Sequence, residues 1–133
     1  MKLQHLAPIL WTKDLEKTIS FYVNILGFTC RSNFPNFASL QRDNVEIMIV
    51  LPTEEPEDCK DPNEKQEFFP KPILTGSIYI TIDNVDELWT KIKDNVNVLT
   101  PLENREYFMR DFSITDNNGY ELVFGQNINS NAN

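Results

Sequence analysis

Glu46 and Glu121 are the carboxylates of this chain best placed to do chemistry. Each sits inside a short alternating run, VEIMI and YELVF, on the side opposite a row of apolar residues. A partly desolvated carboxylate attracts a cation strongly. Trp11, Phe37, Tyr79 and the pair Tyr107-Phe108 add flat apolar surface on which a ring or a cationic group can stack. Ligand contact and core or dimer packing fit these rings equally well. His5, the single histidine, stands near the start of the chain, where a surface or hydrogen-bonded role is commoner than a ligand role. Cys30 and Cys59 share no CxxC spacing and read as free thiols of a reducing cytoplasm, neither of them catalytic.

The elements that must position these groups come from a repeat. Pro8–Ile19 (PILWTKDLEKTI) is echoed seventy residues later by Ile78–Trp89 (IYITIDNVDELW), and Val45–Ile49 is echoed seventy-five residues later by Tyr120–Phe124. A unit of roughly 60 residues buries little core alone, so two copies are expected to share one and to flank a cleft. Asp14 and Asn84 are predicted N-caps, the second with Glu87 as a capping box. The first helix carries Leu15, Ile19, Tyr22 and Leu26 at helical spacing and stops at Gly27. The second carries Leu88, Trp89 and Ile92.

Predicted strands run Leu6–Trp11, Thr29–Asn33, Phe37–Arg42, Val45–Leu51, Ser77–Ile82, Asn97–Pro101, Asp111–Thr115 and Tyr120–Gly125. The class is α+β: two tandem βαβββ modules forming a curved mixed sheet around a cleft, with helices on the outer face. Parity sorts the strands into two faces. Leu6, Pro8, Leu10, Val45, Ile47, Ile49, Ile78, Ile80, Ile82, Tyr120, Leu122 and Phe124 form the face expected under the helices. His5, Ala7, Ile9, Trp11, Glu46, Met48, Val50, Ser77, Tyr79, Thr81, Glu121, Val123 and Gly125 form the other, whose mixture of aromatic, small and acidic groups suits a half-open pocket.

One domain, 1–126, is expected, with module 1 at about 5–51, a linker at 52–76 and module 2 at about 77–126. The tail 127–133 is expected to be disordered. The linker holds five prolines and seven acidic residues against three lysines, and its Phe68-Phe69 either folds over a pocket or anchors the loop. A net charge of −8 argues against nucleic acid and is compatible with a cationic ligand as well as with plain solubility. No apolar run is long enough to span a membrane, and the N-terminus lacks a signal-peptide core, so a cytoplasmic protein is expected.

The strings PILWTKDLEKTISFYVNILGF, FASLQRDNVEIMI and YFMRDFSITDNNGYELVFGQ resemble the vicinal-oxygen-chelate superfamily. That group includes glyoxalase I, extradiol dioxygenases, fosfomycin-resistance enzymes and bleomycin-resistance proteins. Met109–Phe112 (MRDF), before the last hairpin, looks most like the bleomycin-resistance branch. The resemblance implies a homodimer that binds a large cationic drug unchanged, with its N-terminal strand exchanged at Pro8. It also implies that Phe34 or Phe37, with Tyr107 or Phe108, sandwich a planar group.

The enzymes' four metal-ligand positions fall here on Ala7, Met48, Ser77 and Val123, which offer no carboxylate or imidazole. No metal or other cofactor is therefore expected, and the ligand-binding set is Trp11, Phe34, Phe37, Glu46, Met48, Tyr79, Tyr107, Phe108 and Glu121. The alternative is a glyoxalase- or dioxygenase-like enzyme with a displaced metal at His5, Glu46 and Glu121. Each stands two residues before an emptied position, and Thr75 would be a poor fourth ligand. This chain departs from the branch in its long acidic linker and in the turn DNNGY, where a proline commonly follows the aspartate.

Overall fold

Each helix is set by one polar side chain at its start. Asp14 Oδ1 accepts from the Lys17 amide at 3.0 Å, and Asn84 Oδ1 accepts from the Glu87 amide at 3.2 Å. Each satisfies a backbone donor that the first turn would leave unpaired. A computed structural model describes residues 1–53 and 73–129. Cys59, Phe68, Phe69, most of the acidic linker and the end of the tail lie outside the described residues. The chain divides into two compact units, the first ending at Pro72 and the second beginning at Ile73.

In the first unit, β1 (Ile9–Trp11) leads into α1 (Leu15–Ser20), prolonged by a π-helical turn over Phe21–Ile25. Strands β2 (Thr29–Phe34), β3 (Phe37–Arg42) and β4 (Val45–Val50) follow. The sheet order is β1-β4-β3-β2, with β1 parallel to β4 and the remaining pairs antiparallel. The second unit repeats the plan with β5 (Ile78–Thr81), α2 (Val85–Ile92), β6 (Asn97–Asn104), β7 (Met109–Thr115) and β8 (Glu121–Asn127). Its order is β5-β8-β7-β6, with β5 parallel to β8. The tandem βαβββ arrangement thus stands as two four-stranded mixed sheets, one per unit. Helix α1 packs on β3 and β4, and α2 on β7 and β8.

The apolar strand face supplies the core: Leu10, Ile47, Ile49, Ile80, Leu122 and Phe124 are buried, joined by Tyr22, Leu26, Leu88 and Ile92 from the helical segments. In the second unit Trp89 meets Phe112 edge-on at 5.0 Å, and Phe112 lies 5.5 Å from Phe124. Gly27 closes the first helical segment at φ +74°, a conformation that costs a residue with a Cβ. Arg42 Nη1 then donates to the Leu26 carbonyl at 2.6 Å, capping the C-terminus.

Three expectations need correction. The first strand begins at Ile9, and the ladder ends with the Met48 amide donating to the Pro8 carbonyl. Proline has no N–H with which to carry the ladder further, so Leu6 stands 84% exposed and outside the core. In α1 the fully buried position is Thr18, while Ile19 lies half-buried on the flank. The Thr18 hydroxyl donates to the Asp14 carbonyl at 2.8 Å and lies 2.8 Å from that of Thr12, which removes the cost of burying it. Finally, the α2 cap is half a capping box. The Glu87 carboxylate accepts from the Asn84 side-chain amide at 3.4 Å, and the α2 amide of Val85 donates instead to Gln126 Oε1 at 3.0 Å.

Candidate ligand-binding site

The strand face of the first unit is read from its register. Ile9 pairs with Met48 and Trp11 with Val50 across β1–β4, while Phe37 pairs with Val50, Ser39 with Met48 and Gln41 with Glu46 across β3–β4. Phe34, opposite Phe37 on β2, extends the row. The two rings lie 6.4 Å apart, with Phe34 62% exposed at the hairpin tip and Phe37 half-buried. Trp11 and Met48 are also half-buried.

Glu46 is held at the edge of this apolar row. The His5 ring nitrogen Nε2 donates to Oε1 at 2.7 Å and the Ser39 hydroxyl donates to Oε2. Those two bonds, Ser39 first and His5 second, hold its carboxyl below the usual range against the opposing effect of burial.

The second unit carries a different arrangement at matching places. Tyr79 and Thr81 from β5, Glu121, Val123 and Gly125 from β8, and Asp111, Ser113 and Thr115 from β7 share one face. Asp111 is buried, its side chain 4% exposed. Its Oδ2 accepts from the Tyr107 hydroxyl at 2.7 Å and the Tyr79 hydroxyl at 2.9 Å, and its Oδ1 accepts from Arg105 Nε at 2.8 Å. Arg105 also reaches Glu103 Oε2 at 2.9 Å and the Pro101 carbonyl at 2.8 Å. Burial alone would raise the Asp111 carboxyl, but the bonds from Arg105, Tyr107 and Tyr79 outweigh it and hold it below the carboxylate range. Burial and the bond to Asp111 push the Tyr79 phenol well above its ordinary value, and the same bond raises Tyr107.

Tyr79 and Tyr107 are nevertheless 44% and 60% exposed as residues, and Phe108 is 59% exposed. Phe108 sits at φ +61° in the turn 105–108 between β6 and β7. Glu121 lies half-buried at the start of β8. Arg110 points elsewhere, its guanidinium meeting the Asp86 carboxylate on α2 at 3.0 Å and Asn104 Oδ1 at 3.1 Å.

The structure therefore joins His5 with Glu46, Phe34 with Phe37, and Tyr79 with Tyr107 through Asp111. Sequence reasoning missed Asp111, Arg105 and the role of Gly125. The available signal was parity: an aspartate inside MRDFSIT shares the face of Gly125 and Val123 and so cannot simply point to solvent. Of the displaced metal set, His5 and Glu46 belong to the first unit and Glu121 to the second. Among the described residues no group of three or more His, Cys, Asp and Glu side chains gathers where it could hold a metal ion.

Two hollows of the first unit lie beside α1. One, of about 590 Å³, is lined by residues that include Lys13, Leu15, Phe34 and Leu51. The other, of about 510 Å³, includes Val23, Phe28 and Cys30. Among the described residues no helix is long and apolar enough to cross a membrane.

Both units thus follow one βαβββ plan, each on a four-stranded mixed sheet. The family model for the glyoxalase/bleomycin resistance protein/dioxygenase superfamily matches residues 2–124, and the chain belongs to that superfamily. It is 28% identical to a bleomycin resistance protein of Geobacillus stearothermophilus, an alignment covering 92% of this chain and 96% of the relative. A solved glyoxalase/bleomycin resistance protein/dioxygenase from Alicyclobacillus acidocaldarius superposes with a TM-score of 0.71 at 16% identity, covering 96% of this chain and 94% of that one. The bleomycin-binding protein of Streptomyces verticillus, solved with copper(II)-bleomycin, gives a TM-score of 0.66 at 21% identity over 93% and 96% of the two chains. These two structures share the fold of this chain.

Proposed function

We propose that this protein sequesters an amphipathic, cationic, planar antibiotic of the bleomycin type and releases it chemically unchanged. The observation that carries the reading is the pair Tyr79 and Tyr107, both largely exposed and both bonded to the Asp111 carboxylate, with Phe34 and Phe37 adding a second pair of rings in the first unit. A cation over such a ring gains about 0.5–2 kcal/mol, more as water is excluded. The kinship with the Geobacillus bleomycin resistance protein over nearly the full length of both chains supports the same ligand class.

The ligand set is that expected from sequence: Trp11, Phe34, Phe37, Glu46, Met48, Tyr79, Tyr107, Phe108 and Glu121. Binding needs no metal in this reading, since Ala7, Met48, Ser77 and Val123 give the superfamily's ligand positions neither imidazole nor carboxylate. The working form is a cytoplasmic homodimer that binds at its interface. In support, Leu3 and Leu6 of the N-terminal arm are 98% and 84% exposed, apolar surface that a second copy would cover after strand exchange at Pro8.

The test is to incubate the full chain with bleomycin, with and without added Ni, Mn, Zn or Fe(II), and to follow bound and recovered drug by mass spectrometry. The expected result is drug bound and recovered intact, with no dependence on metal. Saturating uptake of metal, with stabilisation of the protein and a modified drug, would make it an enzyme instead.

A further inference from the structure

Asp111 does something in the second unit that no residue does at the matching place in the first. One carboxylate oxygen, Oδ2, receives both phenol hydroxyls, from Tyr79 at 2.9 Å and from Tyr107 at 2.7 Å. The other oxygen is held by Arg105 at 2.8 Å, and Arg105 is itself fixed by Glu103 and the Pro101 carbonyl. The carboxylate is thus locked from one side and locks two rings on the other. The hydroxyls are bonded to Asp111 while the two residues stay 44% and 60% exposed. A phenol donating to a carboxylate becomes more electron-rich, which deepens the negative potential over its ring face. Two carboxylates, Asp111 and Glu103, surround one guanidinium, so the cluster keeps a net negative charge.

Gly125 provides the seat. A Cβ at this position would lie 2.1 Å from the Tyr79 hydroxyl oxygen, 2.6 Å from Cζ and 2.9 Å from Cε1, so the ring would have to move away. Tyr79 occupies that space, and only a residue without a side chain on β8 lets its hydroxyl reach Asp111.

We propose that Asp111 and Gly125 are positioning residues that hold Tyr79 and Tyr107 as a preoriented pair of electron-rich ring faces, selecting a planar cation over a neutral ring of the same shape. This rests on the sequestration reading and names the determinant of its charge preference. Orientation fixed before binding also lowers the entropy lost on binding.

The experiment uses the full chain and two probes of nearly equal shape, 1-methylquinolinium and neutral 1-methylnaphthalene, with dissociation constants measured by competition and calorimetry. Wild type is expected to bind the cation about tenfold more tightly, a difference of about 1.4 kcal/mol. Asp111→Asn should abolish most of that preference and leave the neutral probe within about twofold. The double variant Tyr79→Phe, Tyr107→Phe keeps both rings and fold, and should lose about threefold for the cation alone. Gly125→Ala displaces the Tyr79 ring and should weaken both probes together.

Alkaline titration of phenolate absorbance supplies a readout independent of affinity: Asp111→Asn should lower both phenols, Tyr107 the more completely, because burial still holds Tyr79 up. Wild-type binding without cation preference, or a preference untouched in the double phenylalanine variant, overturns the inference and leaves sequestration standing. A wild type that binds neither probe nor bleomycin overturns both.

Discussion

Phe37 and Val50 of the first unit occupy the places that Asp111 and Gly125 occupy in the second, as the paired registers of β3 with β4 and β7 with β8 establish. Ile9 and Trp11 likewise answer to Tyr79 and Thr81. The two sheets have one topology, and their helices start with equivalent caps. Yet the first unit fills its strand face with apolar side chains and leaves its carboxylate, Glu46, at the margin under His5 and Ser39. The second empties one position to glycine, lowers a tyrosine into the space and buries a carboxylate beneath it. Duplicated backbone geometry constrains where side chains point. It leaves open whether a face reads as an apolar shelf or as a polar cluster that orients rings.

The largest contrast should come from the carboxylates themselves. Asp111→Ala strands Arg105 and two phenols and should cost about 3 kcal/mol in urea-unfolding free energy, whereas Glu46→Ala should shift the transition far less. Equal losses would erase the distinction between a buried and a marginal carboxylate. Next comes Gly125→Ala, expected to destabilise by about 1–3 kcal/mol through overpacking against Tyr79. The combined Gly125→Ala, Tyr79→Ala chain should recover most of that loss, and a failure to recover would mean that the tyrosine is not what fills the space.

The helix caps sharpen the comparison from the other side. Asp14→Ala and Asn84→Ala should each cost about 1 kcal/mol, and by similar amounts, because the two units differ on their strand faces and not at their helix starts. Thermal unfolding of the two variants side by side reads this directly.

The smallest effect at neutral pH lies in titration. Asp111 and Glu46 have carboxyls lowered by folding, so the unfolded chain binds more protons in acid. The stability they contribute is complete above the unfolded value of about 4 and is lost as pH falls towards the folded value. Tyr79 and Tyr107 are raised by folding, so their contribution is complete below the ordinary phenol value of about 10 and is lost as pH climbs beyond it. Asp111→Asn should flatten both edges of the pH–stability profile, while Glu46→Gln should soften the acid edge alone.

Much of the fold was legible because it rests on local chemistry. Strand β3, Phe37–Arg42, has the predicted bounds to the residue, and Asp14, Asn84 and Gly27 act as their types require. Leu6 and Ile19 misled for the same reason: hydrophobicity was read without the hydrogen bonds that decide where a strand ends or which hydroxyl is buried. The aromatic candidates Tyr79 and Tyr107 were visible as rings, but not as a pair. Their pairing depends on Asp111, which alternation with Phe112 and Ile114 places on the mixed face without saying what it bonds, and on Arg105 folding back across the 105–108 turn to meet it. A tertiary contact of that kind leaves no periodic trace.

Stoichiometric capture of an unchanged ligand is what separates a sequestering protein from an enzyme on this fold. Calorimetric titration of the full chain with bleomycin should give a saturable heat with a dissociation constant below about 1 mM, a binding free energy of −4 kcal/mol or better, with the drug recovered intact. No heat up to millimolar drug, or a heat that continues with turnover, would contradict it.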